Sequence, residues 1–128
     1  MPYILYVDGL FASPWALSVF VALTEKGLPF TVETVDLEAG QQFGAYARRA
    51  LTARVPALAM GDFVLTESTA ITEYVDECHP APACSLYPHD RAQRARARQV
   101  QAWIRTDLPR CAPSGTRKRC SSVKPARR

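Results

Sequence analysis

Residues 3–14 read Tyr-Ile-Leu-Tyr-Val-Asp-Gly-Leu-Phe-Ala-Ser-Pro, and this stretch decides the fold. From Tyr3 to Asp8 the residues are mainly aliphatic and aromatic, which predicts a short buried strand, and Gly9 closes it. Ser13-Pro14 then opens a helix. Serine is a favoured N-cap, and proline at the first helical position gives up no hydrogen bond. Leu17, Phe20 and Val21, with Ala16 and Leu23 beside them, recur at i, i+3 and i+4 and predict the apolar stripe of that helix. Gly27 stands where helices commonly end in a left-handed residue.

Working outward, residues 29–35 alternate apolar and polar and predict a second strand. Asp36 to Gly44 is polar and reads as a loop, and Phe43 to Leu51 reads as a weak helix. Val55-Pro56 turns into a third strand through Met60. Gly61-Asp62 makes a tight hairpin turn, and Phe63-Val64-Leu65 form the fourth strand. A helix begins at Glu67-Ser68-Thr69 and runs to about Cys78, with Ile71, Tyr74 and Val75 as its stripe. His79-Pro80-Ala81-Pro82 stops it. After Asp90, a good N-cap, a further helix spans about residues 91–107. Its arginines at 91, 94 and 98 share a solvated face, while Ala95, Val100, Trp103 and Ile104 are placed to pack. The order is β-α-β-α-β-β-α, followed by a linker and one helix. It predicts an α/β domain: a four-stranded mixed sheet with helices on both faces and a right-handed crossover between parallel strands.

Charge divides the chain sharply. Its 128 residues carry a net +4, yet residues 1–90 hold 4 Lys and Arg against 11 Asp and Glu, and residues 91–128 hold 12 against one. Residues 109–128 contain seven basic residues and no acid, and Val123 is their one large aliphatic residue. That composition reads as disordered. The tail has no aromatic residue to stack on bases, so a nucleic-acid role is not expected. The loss of pattern after Leu108 reads as out-of-frame translation of a GC-rich gene; relatives ending in the same basic tail would contradict that. No run of 18 apolar residues exists and the N-terminus lacks a charged n-region, so neither a membrane span nor a secretory signal is expected. Cys78, Cys84, Cys111 and Cys120 form no C-x-x-C pair, which favours a reduced, cytoplasmic setting. Cys78, His79, Cys84 and His89 match no trusted zinc spacing, and no metal is expected.

Four landmarks carry a family resemblance: Glu-Lys-Gly-Leu-Pro-Phe (25–30), Arg-Val-Pro-Ala-Leu (54–58), Glu-Ser-Thr-Ala-Ile-Thr-Glu-Tyr (67–74) and Leu-Tyr-Pro (86–88). With Ser13-Pro14 ahead of them, they resemble the soluble glutathione S-transferases, most nearly the bacterial serine-type members related to the zeta and tau classes. Each landmark alone is weak; the order is what makes the likeness specific. The Arg94–Arg98 run leading to Trp103 is similar to the first helix of that family's all-helical second domain. The resemblance covers about residues 3–108. It implies a thioredoxin-like glutathione-binding domain over 1–79, a linker over 80–90, and the first helix of a truncated helical domain over 91–108, with the basic tail over 109–128 outside it.

The resemblance also implies roles. Ser13 would donate a hydrogen bond to the glutathione sulfur and hold it as thiolate at a helix N-terminus, where anions are favoured. It would not be a nucleophile. A cis Val55-Pro56 peptide would turn the Val55 backbone towards the cysteinyl backbone of glutathione, as in strand addition. Glu67 and Ser68 would hold the γ-glutamyl ammonium and carboxylate; by residue type alone they read equally as helix capping. Arg54, Gln41 and Gln42 are weaker candidates for the glycyl carboxylate. Tyr3 and Tyr6 read as core. Glutathione would be cosubstrate, and the partner a small electrophile or a peroxide. The full-length family would form a homodimer. The competing readings are a glutathione-binding remnant without turnover, and a glutaredoxin-like oxidoreductase, which the absence of any cysteine before residue 78 disfavours. With one helix of the second domain present, weak glutathione binding and little turnover are the expectation.

Overall fold

The computed structural model describes residues 2–43, 46, 48 and 50–111. Contacts divide the chain into two compact units, Met1–Leu86 and Tyr87–Arg128.

In the first unit, strand β1 (Tyr3–Asp8) leads into helix α1 (Pro14–Glu25), then β2 (Phe30–Val35), a 3-10 turn (Gln41–Phe43), β3 (Ala57–Met60), β4 (Phe63–Thr66) and helix α2 (Ser68–Cys78). The sheet order is β2-β1-β3-β4. β1 runs parallel to β2, with Tyr3 opposite Phe30 and Asp8 opposite Val35. β3 is antiparallel to both β1 and β4, with Tyr6 opposite Ala57 and Ala57 opposite Thr66. This is the expected mixed, thioredoxin-like sheet. The expected helix over 43–51 falls partly outside the described residues.

Side chains alternate across a strand. Tyr3, Leu5 and Val7 therefore share one face of β1, and there they meet Val19 and Leu23 of α1, Leu58 of β3, and Ile71 and Val75 of α2. Leu5, Val19, Leu23, Leu58, Ile71 and Val75 are fully buried; each contributes roughly 1.5–3 kcal/mol relative to exposure. Ile71 and Val75 match the expected stripe of α2, and Tyr74 tilts against Phe63 with ring centroids 5.2 Å apart.

The stripe of α1 is different from the expected one. Ala16, Val19, Ala22 and Leu23 are buried, while Leu17, Phe20 and Val21 are 60%, 42% and 46% exposed. The reason is that Pro14–Glu25 is apolar almost all round, so a 3.6-residue period has more than one solution along it. Docking selected the face on which two alanines let the helix approach the sheet closely.

Helix α1 ends in a Schellman motif. Gly27 takes φ +65°, its N–H donates to the Thr24 carbonyl at 2.9 Å, and Leu28 N–H donates to Leu23 at 3.1 Å. Beside this cap, the buried Lys26 ammonium lies 2.9 Å from Asp76 Oδ1. It also donates to the carbonyls of His79 at 2.8 Å and Cys84 at 2.7 Å. Asp76 Oδ1 in turn accepts the Leu86 N–H at 2.8 Å. The proline-rich segment after α2 is thus tied to the end of α1.

The second unit contains helix α3 (Arg91–Cys111). Asp90 Oδ1 accepts the Gln93 N–H at 2.9 Å, confirming it as the N-cap. The helix runs past the expected end near Leu108 and includes Pro109. Sequence punctuation overrates proline here: proline removes one hydrogen bond of the preceding turn without forbidding helical φ. Arg94, expected on a solvated face, lies half-buried with its guanidinium 5.3 Å from the Tyr87 ring centroid. Gln101 donates to the Tyr87 hydroxyl at 2.9 Å. The expectation for the basic tail lies, from residue 112 onward, outside the described residues.

Candidate functional site

Topology gathers the predicted residues. β1 and β2 end together at Asp8 and Val35, β3 starts beside Tyr6, and β4 ends opposite Ala57. Ser13, Val55-Pro56 and Glu67-Ser68 therefore belong to one end of the sheet, although up to 55 residues separate them in the chain.

Asp8 organises the loop from β1 to α1. Its Oδ2 accepts the Ala12 N–H at 2.8 Å and its Oδ1 accepts the Ser13 N–H at 3.1 Å. Between them Phe11 adopts φ +53°, a left-handed conformation that non-glycine residues seldom take. The loop is thereby fixed, and Ser13 arrives at the N-cap with extended φ −73° and ψ 113°. Ser13 Oγ accepts the Ala16 N–H at 3.3 Å. A serine hydroxyl keeps its single hydrogen when it accepts, so this cap bond leaves the O–H able to donate outward. Capping and thiol activation are compatible in one side chain.

Ser13 lines a cleft of about 390 Å³ together with Asp8, Ala12, Leu37, Gln42, Ala53, Arg54 and Val55. On its other side Ser13 also borders an apolar groove of about 330 Å³ that includes Phe11, Leu17, Phe20 and Val32. The Val55–Pro56 peptide is cis, as the resemblance implies. Gln42 Nε2 donates to the Leu37 carbonyl at 3.2 Å, while its buried Oε1 has no hydrogen-bond partner among the described residues. The unpaired atom of this amide is an acceptor, and it is buried. Gln41 is turned away: its Oε1 accepts the Asp36 N–H at 2.9 Å and serves the turn.

Pro56, Glu67 and Ser68 stand at the same end of the sheet but outside the lining of that cleft. Glu67 is the N-cap of α2 and makes no side-chain capping bond, so simple capping does not account for it. Its φ of +72° is a conformation costing about 1–3 kcal/mol in a non-glycine residue, of the kind that clusters at functional sites. Ser68 is buried. His79 Nε2 lies 3.0 Å from the Tyr3 hydroxyl, and Cys78 and Cys84 are exposed thiols.

Sequence reasoning missed Asp8, Lys26 and Tyr46 as contributors. Asp8 is the one acid in an otherwise apolar strand, a signal that an Asx-type loop follows. Lys26 offered no such signal, because a lysine near a helix end is ordinarily solvated. Tyr46 lay in the least patterned segment of the domain.

A thioredoxin-like sheet thus carries a serine N-cap and a cis Val55–Pro56 peptide at one end. The comparisons give the family. The family model for the glutathione S-transferase N-terminal domain matches residues 12–78, and the chain belongs to that family. Mouse glutathione S-transferase theta-3 is 39% identical over 108 residues, covering 84% of this chain and 44% of the relative. A glutathione transferase homologue from Burkholderia, solved with bound glutathione, is 50% identical with a TM-score of 0.75, covering 84% of this chain and 55% of that one. A beta-etherase from Sphingobium is 32% identical with a TM-score of 0.76, covering 87% of this chain and 45% of that one. The chain thus spans about half the length of the relatives it matches. The curated relative named here carries the theta label, where the sequence landmarks point towards zeta and tau. Among the described residues no helix is long and apolar enough to cross a membrane.

Proposed function

We propose that this protein binds glutathione in the cleft beside Ser13 and activates its thiol for transfer to an electrophile or for peroxide reduction. The observation that carries the reading is Ser13 itself: a serine N-cap whose hydroxyl hydrogen remains available and which shares a cleft with Val55 and Arg54. A free thiol has a pKa near 8.5. The helix N-terminus and one O–H donor both favour the anion, so the bound thiol should titrate lower. Val55 offers backbone groups to the cysteinyl residue. Arg54, exposed at the rim, is a partner for the glycyl carboxylate. Glu67 and Ser68 bind the γ-glutamyl end. The reaction belongs to the cytoplasm, where glutathione is kept reduced.

The test is an ultraviolet titration of bound glutathione. The expected result is a thiol pKa below that of free glutathione in the wild-type chain, returning towards the free value in Ser13→Ala. Bound glutathione with an unshifted thiol would remove Ser13 from the mechanism. No binding would remove the function.

A further inference from the structure

Tyr46 lies outside the cleft lining, yet it holds a peptide that borders the cleft. Its phenol O–H donates to the Arg54 carbonyl at 2.5 Å. Its own carbonyl accepts the Ala50 N–H at 3.0 Å. Its ring packs edge-on against Tyr6, with centroids 5.5 Å apart and planes at 65°. Tyr6 sits on β1 opposite Ala57 of β3, on the face away from Leu5 and Val7. One side chain thus links the central strand to the peptide that leads into Val55-Pro56.

Among the described residues, regular structure does little to orient that peptide. Residues 50–55 form neither helix nor strand, and the β1–β3 ladder reaches only as far as Ala57. A trans peptide is planar, with its C=O and N–H pointing in opposite directions. Fixing the Arg54 carbonyl therefore fixes the direction of the Val55 N–H. Burial, with the neighbouring Tyr6, pushes the Tyr46 phenol up to about 12, so it stays a donor throughout the neutral range.

We propose that Tyr46 is a positioning residue for the glutathione cleft, acting through the Arg54 carbonyl to aim the Val55 N–H at the bound peptide. The proposal rests on the glutathione-binding reading above. Arg54 and Val55 both line the cleft, so an error in this one peptide misplaces a backbone donor and the side chain before it.

The test is Tyr46→Phe in the full chain, which keeps the ring against Tyr6 and removes only the O–H donor. Glutathione binding is measured by calorimetry, the Val55 amide by nitrogen-edited NMR, and the bound thiol by ultraviolet titration. The expected result is a Kd raised about fivefold, the scale of one lost hydrogen bond. The Val55 amide response to glutathione should be reduced, with the bound thiol pKa unchanged because Ser13 is untouched. A variant that binds as tightly as wild type, or one whose thiol pKa moves as it does in Ser13→Ala, would overturn the proposal. Should Tyr46→Phe fail to fold, the wild-type chain decides alone. Glutathione must shift the Val55 amide, and a Val55 amide that stays still while other cleft amides move overturns the proposal. A wild-type chain in which no cleft amide responds would instead remove the underlying function.

Discussion

The two ends of helix α1 treat hydrogen-bonding capacity in opposite ways. At the N-terminal end Ser13 accepts one backbone N–H and keeps its own hydrogen, half-exposed beside a cleft. At the C-terminal end the Lys26 ammonium is fully buried and spends its three donors on Asp76, His79 and Cys84. One end is left with unused valence; the other has none. A buried charge is tolerated only when it is paired and its hydrogen bonds are met. A reactive end requires the reverse, a group whose bonding is completed by its ligand.

Breaking the closed end should have the largest effect. Lys26→Met leaves the Asp76 carboxylate buried without its cation, and we expect a loss of about 3–5 kcal/mol of stability in urea unfolding. A loss below about 1 kcal/mol, the scale of an exposed pair, would show that Lys26 is not the tie between α1 and the segment after α2.

At the open end, Asp8→Ala removes the acceptor for the Ala12 and Ser13 N–H groups. We expect about 1–3 kcal/mol of destabilisation and a bound glutathione thiol that titrates closer to the free value, since the cap is no longer held in place. A variant that loses stability but activates the thiol normally would confine Asp8 to folding.

Two substitutions of Ser13 sharpen the comparison further. Alanine at an N-cap costs about 1 kcal/mol, and glycine only a few tenths. Ser13→Ala and Ser13→Gly should therefore differ in thermal stability yet lose thiol activation equally. Unequal activation would mean that the cap geometry, and not the hydroxyl hydrogen, does the chemistry.

The smallest effect lies at high pH. Tyr46 titrates at about 12 because of burial and then Tyr6, and burial followed by Cys78 raises Tyr3 above the ordinary 10.0. A raised phenol pKa means that the folded state favours the neutral form. The stability it contributes is complete below about pH 10 and is lost as pH rises from there towards 12. Alkaline unfolding followed by circular dichroism should show this loss, and Tyr46→Phe should lessen it. A variant with an unchanged alkaline midpoint would contradict the burial of Tyr46.

The strands and the helix starts were legible because their signals are local. Tyr3–Asp8 declares a strand by composition, Ser13-Pro14 declares a helix start by capping chemistry, and Asp90 does the same for α3. Site residues were legible only in part. Ser13, Arg54 and Val55 could be singled out and do share a cleft, whereas Gln41 and Gln42 looked alike and proved different. One accepts the Asp36 N–H and closes a turn, and the other donates to the Leu37 carbonyl. Nothing in two adjacent glutamines distinguishes those outcomes, since the choice follows from where the Asp36 N–H and the Leu37 carbonyl lie.

The sequence by itself determined the order of elements, the capped serine and the family landmarks, because capping, turn formation and strand alternation act over a few residues. Tertiary structure alone decided which face of α1 is buried, since an almost uniformly apolar helix has no preferred side until a sheet is set against it. It also decided that Lys26 is buried, that Asp8 fixes the serine loop and that Tyr46 reaches the Arg54 carbonyl. Each of those depends on partners brought together by the fold, and a hydrogen bond between distant residues leaves no periodicity to read.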